Sequence, residues 1–322
     1  MSNENGKSII LDADPGMGVA YADIDDNLAL LFALGGHEIN IELVSIVEGN
    51  VPAPLGVQSM EATLAFLRAD IPVSIGSRTP LFRQPFYAGM DVLRRMSGPI
   101  DYRGSIELDD AASGKGFAVA DMASALERAE RPVTLVAIGP LTNVAVLLHQ
   151  RPDLHAKIES LVIMGGAINR EGNITPFAEF NIWVDPDAAS MVFDCPIPKV
   201  LVGLDVTTKV TIQPEEFEPI LSGLSNDRFA TYVRESVGGW VQVTQRLGGM
   251  LGFNPHDPIA LAYLIEPSLF KTEQMSVSVD TRTGRTIGRP DKEGTTRVCL
   301  DLDGERFRRL FFERLGQVPL KG

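Results

Sequence analysis

Short runs of β-branched and aliphatic residues alternate along the chain with stretches in which apolar residues recur every three or four positions. Several of the runs at 8–11, 39–47, 73–75, 133–138, 158–164 and 199–204 are apolar on both faces, as strands buried in a parallel sheet are. Between them, residues 25–33, 57–69, 117–129, 142–149 and 186–193 show the spacing of amphipathic helices. This alternation predicts an α/β fold with a mostly parallel sheet and helices on both faces. From 214 to about 246 the pattern turns helical, with breaks expected at Gly223 and Gly238-Gly239, and another helix follows Asp257-Pro258. Residues 273–279 and 296–301 read as added strands, and 305–315 as a closing amphipathic helix. Residues 78–116 are the least regular part, predicted to be a surface loop near the site. Because no repeat, low-complexity stretch or Pro/Ser-rich linker divides the chain, residues 1–322 read as a single domain.

Composition narrows the range of functions. With 29 Lys+Arg against 42 Asp+Glu the net charge is −13, which argues against a nucleic-acid partner, since phosphate affinity comes from clustered cations. The 44% hydrophobic fraction can fill a sizeable core. No stretch approaches the ~18 uninterrupted apolar residues of a membrane span. The opening segment MSNENGKSII lacks the apolar core and cleavage site of a signal peptide. Two cysteines, Cys195 and Cys299, cannot build a disulfide framework in a chain of this length, so a reducing cytoplasm is the expected location.

Ligands of open α/β sheets sit beyond the carboxyl ends of the strands. The first predicted strand runs into Asp12-Ala13-Asp14-Pro15-Gly16, and Asp23-Ile24-Asp25-Asp26 follows at a helix start. Helix capping explains Asp23 or Asp25, at about 1 kcal/mol or less each, but not five carboxylates within fifteen residues. Like charges gathered at one strand end repel unless a cation or shared protons compensate. A hard divalent cation such as calcium, which takes about 6–8 oxygen ligands in flexible geometry, would relieve them; a purely structural cluster is the alternative. Far downstream, Asp257 in Asn254-Pro255-His256-Asp257-Pro258 fits either a helix cap or a further ligand. Of the four histidines only His256 adjoins a carboxylate at a loop-to-helix junction, which makes it the best general-acid candidate by residue type.

Other polar residues follow later strands. Gly49-Asn50 and Gly139-Pro140-Leu141-Thr142-Asn143 are sharp turns that glycine or Asn capping would explain singly. Asn173, Glu179 and Asn181 are threaded among Phe177, Phe180 and Trp183, and buried polar groups of this kind need partners, which the hydroxyls of a sugar would supply. Tyr232 and Trp240, on the helical stretch, read as core or interface aromatics in preference to stacking residues.

Taken in order, Asp12-x-Asp14-Pro15-Gly16 with Asp25-Asp26 and Ala29-Leu30, Gly49-Asn50, Gly139 to Asn143, Met164-Gly165-Gly166-Ala167, the stretch 173–186 and His256-Asp257-Pro258 resemble the nucleoside hydrolases, the inosine–uridine-preferring nucleoside N-ribohydrolases. The likeness spans nearly the whole chain. It implies a Rossmann-like nucleoside hydrolase fold that forms dimers or tetramers, and Ca2+-dependent hydrolysis of the N-glycosidic bond of a ribonucleoside to free base and ribose, with water on the metal as nucleophile. By the same likeness Asp14, Asp26, the Thr142 carbonyl and Asp257 are the calcium ligands, and Asp14 is also the general base. Asp25, Asn50, Asn173, Glu179 and Asn181 match the ribose-binding positions, and His256 matches a residue that protonates the departing base.

Two departures stand out. Residues 17–24 intervene where relatives pass almost directly from Asp-Pro-Gly to the paired aspartates, so Asp23 is a potential stand-in for Asp25 or Asp26. The His-Gly segment many members carry after the third strand is missing around residues 91–95; Arg78, Arg83, Tyr87 and Arg94 are the alternatives there. Two other readings stay open at this level. One is a nucleoside- or ribose-binding protein that has kept the pocket and lost turnover or changed specificity. The other is a haloacid-dehalogenase-type phosphatase, whose nucleophile also sits in an Asp-x-Asp, but Pro15-Gly16 argues against it.

Overall fold

The structure, a computed structural model, describes residues 6–83, 88–102, 116–224 and 226–319. Its strands are β1 (Lys7–Ala13), β2 (Ile39–Ile46), β3 (Val73–Ile75), β4 (Val133–Ala137), β5 (Ile158–Met164), β6 (Lys199–Val202), β7 (Phe270–Asp280), β8 (Arg285–Pro290) and β9 (Thr296–Leu302). Its helices are α1 (Asp25–Leu34), α2 (Ala53–Leu67), α3 (Ala88–Ser97), α4 (Ala118–Arg128), α5 (Thr142–Gln150), α6 (Phe180–Val184), α7 (Pro186–Asp194), α8 (Leu204–Thr207), α9 (Glu218–Leu221), α10 (Asp227–Gly248), α11 (His256–Ile265) and α12 (Gly304–Gly316).

The strands form one sheet in the order β3-β2-β1-β4-β5-β6-β9-β7-β8. Pairing is parallel from β3 to β9, and antiparallel where β7 joins β9 and β8. Its first six strands have the Rossmann order, whose direction of winding reverses between β1 and β4; the crevice there is where such sheets bind ligands. Side chains alternate across each strand, so Ile9 and Leu11 enter one core layer while Ile10 enters the other. The first layer lies under α1, α2, α10, α11 and α12, and the second under α4, α5 and α7.

Most predicted elements agree with the structure to within a few residues, and three differences have physical causes. The helix expected to break at Gly238-Gly239 runs through both; a Cβ on Gly239 would sit 2.7 Å from the ring of Tyr102, so the glycine admits that ring. β8 escapes the pattern because Arg285, Arg289 and Pro290 lie on an exposed strand with little apolar alternation, formed by hairpin pairing to β7 across Gly284 at φ 73. Part of the irregular stretch is helical as α3; residues 84–87 and 103–115, including Tyr87, lie outside the described residues.

Candidate functional site

β1 ends two residues later than its apolar run, so Asp12 lies inside the strand, opposite Ser45 of β2 and Ala137 of β4, and Asp14 stands just past its end. Asp12 Oδ1 accepts from Ser45 Oγ at 2.5 Å and Asn143 Nδ2 at 2.8 Å, while its buried Oδ2 has no partner. Burial pushes its pKa up to about 7, the two hydrogen bonds opposing. Asp12 therefore belongs to the wall behind the site, tied to Asn143, which also accepts from Ser77 N–H and fixes the turn after β3.

Asp14 fits between two turns that only glycine allows. A Cβ on Gly49 would come within 2.0 Å of Asp14 Oδ2, and one on Gly139 within 2.7 Å of Oδ1. Neither glycine has a positive φ; the requirement is close approach. The Asn50 N–H donates to Asp14 Oδ2 at 2.7 Å, the Asp14 N–H donates to Asp26 Oδ1 at 2.8 Å, and Asn50 Nδ2 reaches Asp26 Oδ2 at 3.3 Å. Asp257, in the first turn of α11, donates its N–H to Asp25 Oδ2 at 3.2 Å. This bond brings the two ends of the chain's carboxylate set together across the crevice.

Asp25, Asp26 and Asp257 are all buried, and each offers an oxygen within 4.8 Å of the other two. Oxygens around a single calcium at about 2.3–2.6 Å lie no more than about 5 Å apart, so the spread fits such an ion. Burial holds Asp14, Asp26 and Asp257 well above the usual carboxylate range, and the charges of their neighbours add to it. Among the described residues no lysine or arginine forms an ion pair with any of these carboxylates. A buried set of acids with no counter-charge has the chemistry of a hard-cation site. The aspartate meeting Asp26 and Asp257 is thus Asp25, with Asp14 hydrogen-bonded alongside. Asp23 is half-buried outside this trio; burial, then the charge of Asp25, raises its pKa.

Residues 17–24 are built into their surroundings. Met17 donates its N–H to Asn27 Oδ1, and its carbonyl accepts from Ser59 Oγ and from the Tyr232 hydroxyl at 3.0 Å. Val19 and Ala22 pack on Val51, next to Asn50. Tyr21, at φ 66, accepts at its hydroxyl from Ile100 N–H at 3.3 Å. Tyr232 is a core residue stacked on Phe66 with centroids 5.0 Å apart, and Trp240 is partly buried against the same core.

Thr142, the first residue of α5, is buried and donates from Oγ1 to Asp185 Oδ2 at 2.7 Å. Asp185 also caps α7 through Ala188 N–H and accepts from Leu81 N–H. Sequence patterns did not single out Asp185; its signal is spatial, one buried carboxylate serving three segments.

The polar residues of the aromatic stretch already have partners within the protein, which fix their side chains in place. Glu179 accepts from the backbone N–H groups of Gly166, Asn181 and Ile182, and Asn181 Nδ2 donates to the carbonyls of Ile138 and Met164. Burial raises the Glu179 pKa against those donors, and Glu179 lies close enough for its charge to act on Asp14. Asn173 is exposed, and its Oδ1 accepts from Phe180 N–H within its own loop. Of the loop arginines, Arg83 pairs with Asp187 at 3.7 Å.

His256 opens α11, half-buried, with Nδ1 at 2.7 Å from Thr207 Oγ1. Burial lowers its pKa, and the charge of Asp25 opposes that shift.

Residues 9–309 match the family described as inosine-uridine preferring nucleoside hydrolase. The chain is 36% identical over 319 residues to the pyrimidine-specific ribonucleoside hydrolase RihA of Salmonella agona (strain SL483), a match covering 95% of this chain and 97% of that one. Among solved structures it resembles a purine-preferring ribonucleoside hydrolase from Gardnerella vaginalis, with a TM-score of 0.82 and 26% identity over 98% of this chain and 100% of that one. A plant nucleoside hydrolase, PpNRh1, superposes with a TM-score of 0.79 and 28% identity, over 96% and 99% of the two chains.

Proposed function

The chain belongs to the inosine-uridine preferring nucleoside hydrolase family, N-glycosidases acting on ribonucleosides, and on that premise we propose that it hydrolyses ribonucleosides at the crevice between β1 and β4 in a Ca2+-dependent reaction. The observation that carries the reading is the convergence of buried, uncompensated carboxylates at that crevice. Asp14, Asp26, Asp257 and the Thr142 carbonyl would hold the cation, with Asp25, whose oxygen lies within 4.8 Å of those of Asp26 and Asp257, close enough to share it. When bound, calcium would fix the vicinal ribose hydroxyls and lower the pKa of the attacking water.

The chain's own residues do the rest. Asp14, held in place by the Asn50 N–H on its Oδ2, takes the proton from the water. Asp25, Asn50, Asn173, Glu179 and Asn181 bind and orient ribose. Glu179 and Asn181 are held rigid by backbone groups, so they contribute placement without reorganising. The acids surrounding the sugar stabilise the positive charge that develops in an oxocarbenium-like transition state. His256 donates a proton to the departing base. Family membership leaves the phosphatase reading without support.

We further propose a homodimer or homotetramer, to be checked by light scattering, and a cytoplasmic location, in keeping with the free Cys195 and Cys299. The decisive test is a panel of purine and pyrimidine nucleosides assayed for released ribose. Native protein should release ribose from at least one, and Asp14→Asn should lose activity by about 10²-fold or more. Tight nucleoside binding without ribose release would favour the binding-protein reading, and undiminished turnover in Asp14→Asn would remove the general base.

A further inference from the structure

We propose that Thr207 is a positioning residue for His256, holding the imidazole so that Nε2 faces the departing base. The inference rests on the reading of His256 as the leaving-group acid. Thr207 is the last residue of α8 and fully buried, and its hydroxyl lies 2.7 Å from His256 Nδ1.

Both partners are anchored. Asp205, in the same short helix, accepts from the N–H groups of Ile168 and Asn169 at 2.9 and 2.8 Å. Gly203 lies so close to the carbonyls of Gly166 and Gly165 that a Cβ there would sit 2.7 and 3.0 Å from their oxygens. α8 is therefore clamped to the loop that leads to Asn173. On the other side, Asn254 Nδ2 donates to Val210 O at 2.6 Å, and the His256 N–H donates to Asn254 O at 2.9 Å. With the backbone held at both ends, the hydroxyl fixes the remaining freedom, rotation of the ring.

The residue type suits the task. A hydroxyl can donate to a bare Nδ1 or accept from a protonated one, so the contact survives proton transfer at Nε2. A carbonyl could only accept, and a carboxylate would add negative charge beside a crowded set of acids. In the step itself the bond between the ribose C1′ and the base nitrogen breaks and its electron pair goes to the base, while the water oxygen bonds to C1′ and gives a proton to Asp14. The proton on Nε2 moves to the base, and the ring keeps its Nδ1 proton on Thr207 Oγ1.

The test compares a natural nucleoside with p-nitrophenyl riboside, whose leaving group needs no proton. Thr207→Val should lower kcat on the nucleoside about tenfold, the worth of one hydrogen bond in an aligned acid, and change it less than about twofold on the riboside. Thr207→Ser should restore nucleoside turnover, and Thr207→Val should cost nothing further in a His256→Ala background. Equal loss on both substrates, no loss, or an additive loss in the double variant would overturn the proposal. If Thr207→Val does not fold, Thr207→Ala carries the same comparison. His256→Ala alone separates the two readings: an equal loss on both substrates removes the acid and Thr207's role with it. A selective loss there without one in Thr207→Val overturns only the positioning role.

Discussion

Asp14 shows how a single carboxylate depends on residues that have no side chain. Its two oxygens occupy the space that a Cβ on Gly49 or Gly139 would fill. Gly49→Ala should therefore push Asp14 out of place without unfolding the protein, because Gly49 sits in a half-exposed turn with no positive φ. A displacement near 1 Å can cost about 10²-fold in rate, so kcat should fall by that order while the circular dichroism spectrum stays native. A variant with native kcat would mean that Asp14 tolerates the shift and is not the positioned base. The sequence identified Asp14 by its neighbours Pro15 and Gly16. It could not show that glycines 35 and 125 positions away make room for it.

At the scale of elements, Asp185 connects pieces that no local pattern relates. It caps α7, holds the Thr142 hydroxyl at the start of α5, and ties down Leu81 beyond β3. Asp185→Ala leaves three donors without their acceptor, and urea unfolding should show a loss of about 2–4 kcal/mol. If calcium binds as proposed, calorimetry should show weaker binding, since Thr142, whose carbonyl is the proposed ligand, is no longer anchored. Full retention of both would show that α5 is held by packing alone. The elements themselves were largely legible, because buried parallel strands and helix faces impose periods of two and 3.6 on apolar residues. β8 was not legible, since an exposed strand beside a hairpin needs no apolar alternation. Nor was the continuity of α10 through Gly238-Gly239, where Gly239 leaves room for the ring of Tyr102.

At the scale of the whole molecule, the carboxylate set ties stability to pH and, on the proposed cation site, to the metal as well. Burial holds Asp12 at about 7 and keeps Asp14, Asp26 and Asp257 well above the ordinary carboxylate range. The folded protein then binds more protons than the unfolded chain between the ordinary carboxylate pKa and these raised values. The stability this contributes is full below the unfolded pKa and is lost as pH rises through the folded values. His256, lowered by burial, opposes this with a single proton. Protein treated with a chelator should thus melt at a higher temperature at pH 5.5 than at pH 7. Calcium at pH 7 should raise Tm and restore activity, by about 2.7 kcal/mol of stability at a hundredfold excess over Kd. A chelated protein that keeps full activity, or that loses stability steadily on acidification over this range, would count against a cation site.

The sequence by itself determined the layered α/β architecture, the strand ends where chemistry could gather, the family, and most of the polar residues that meet there. Each of these follows from periodicity or from short motifs, which are local properties of the chain. Only the tertiary structure decided which carboxylates share a space. It placed Asp257 against Asp25 across 232 positions, put Asp12 in the wall with Ser45 and Asn143, and gave Glu179 and Asn181 backbone partners. It also placed Thr207 against His256, a contact with no sequence signature. The reason is that hydrogen bonds and charge repulsion act over a few ångströms, and the fold, not the spacing along the chain, sets those distances.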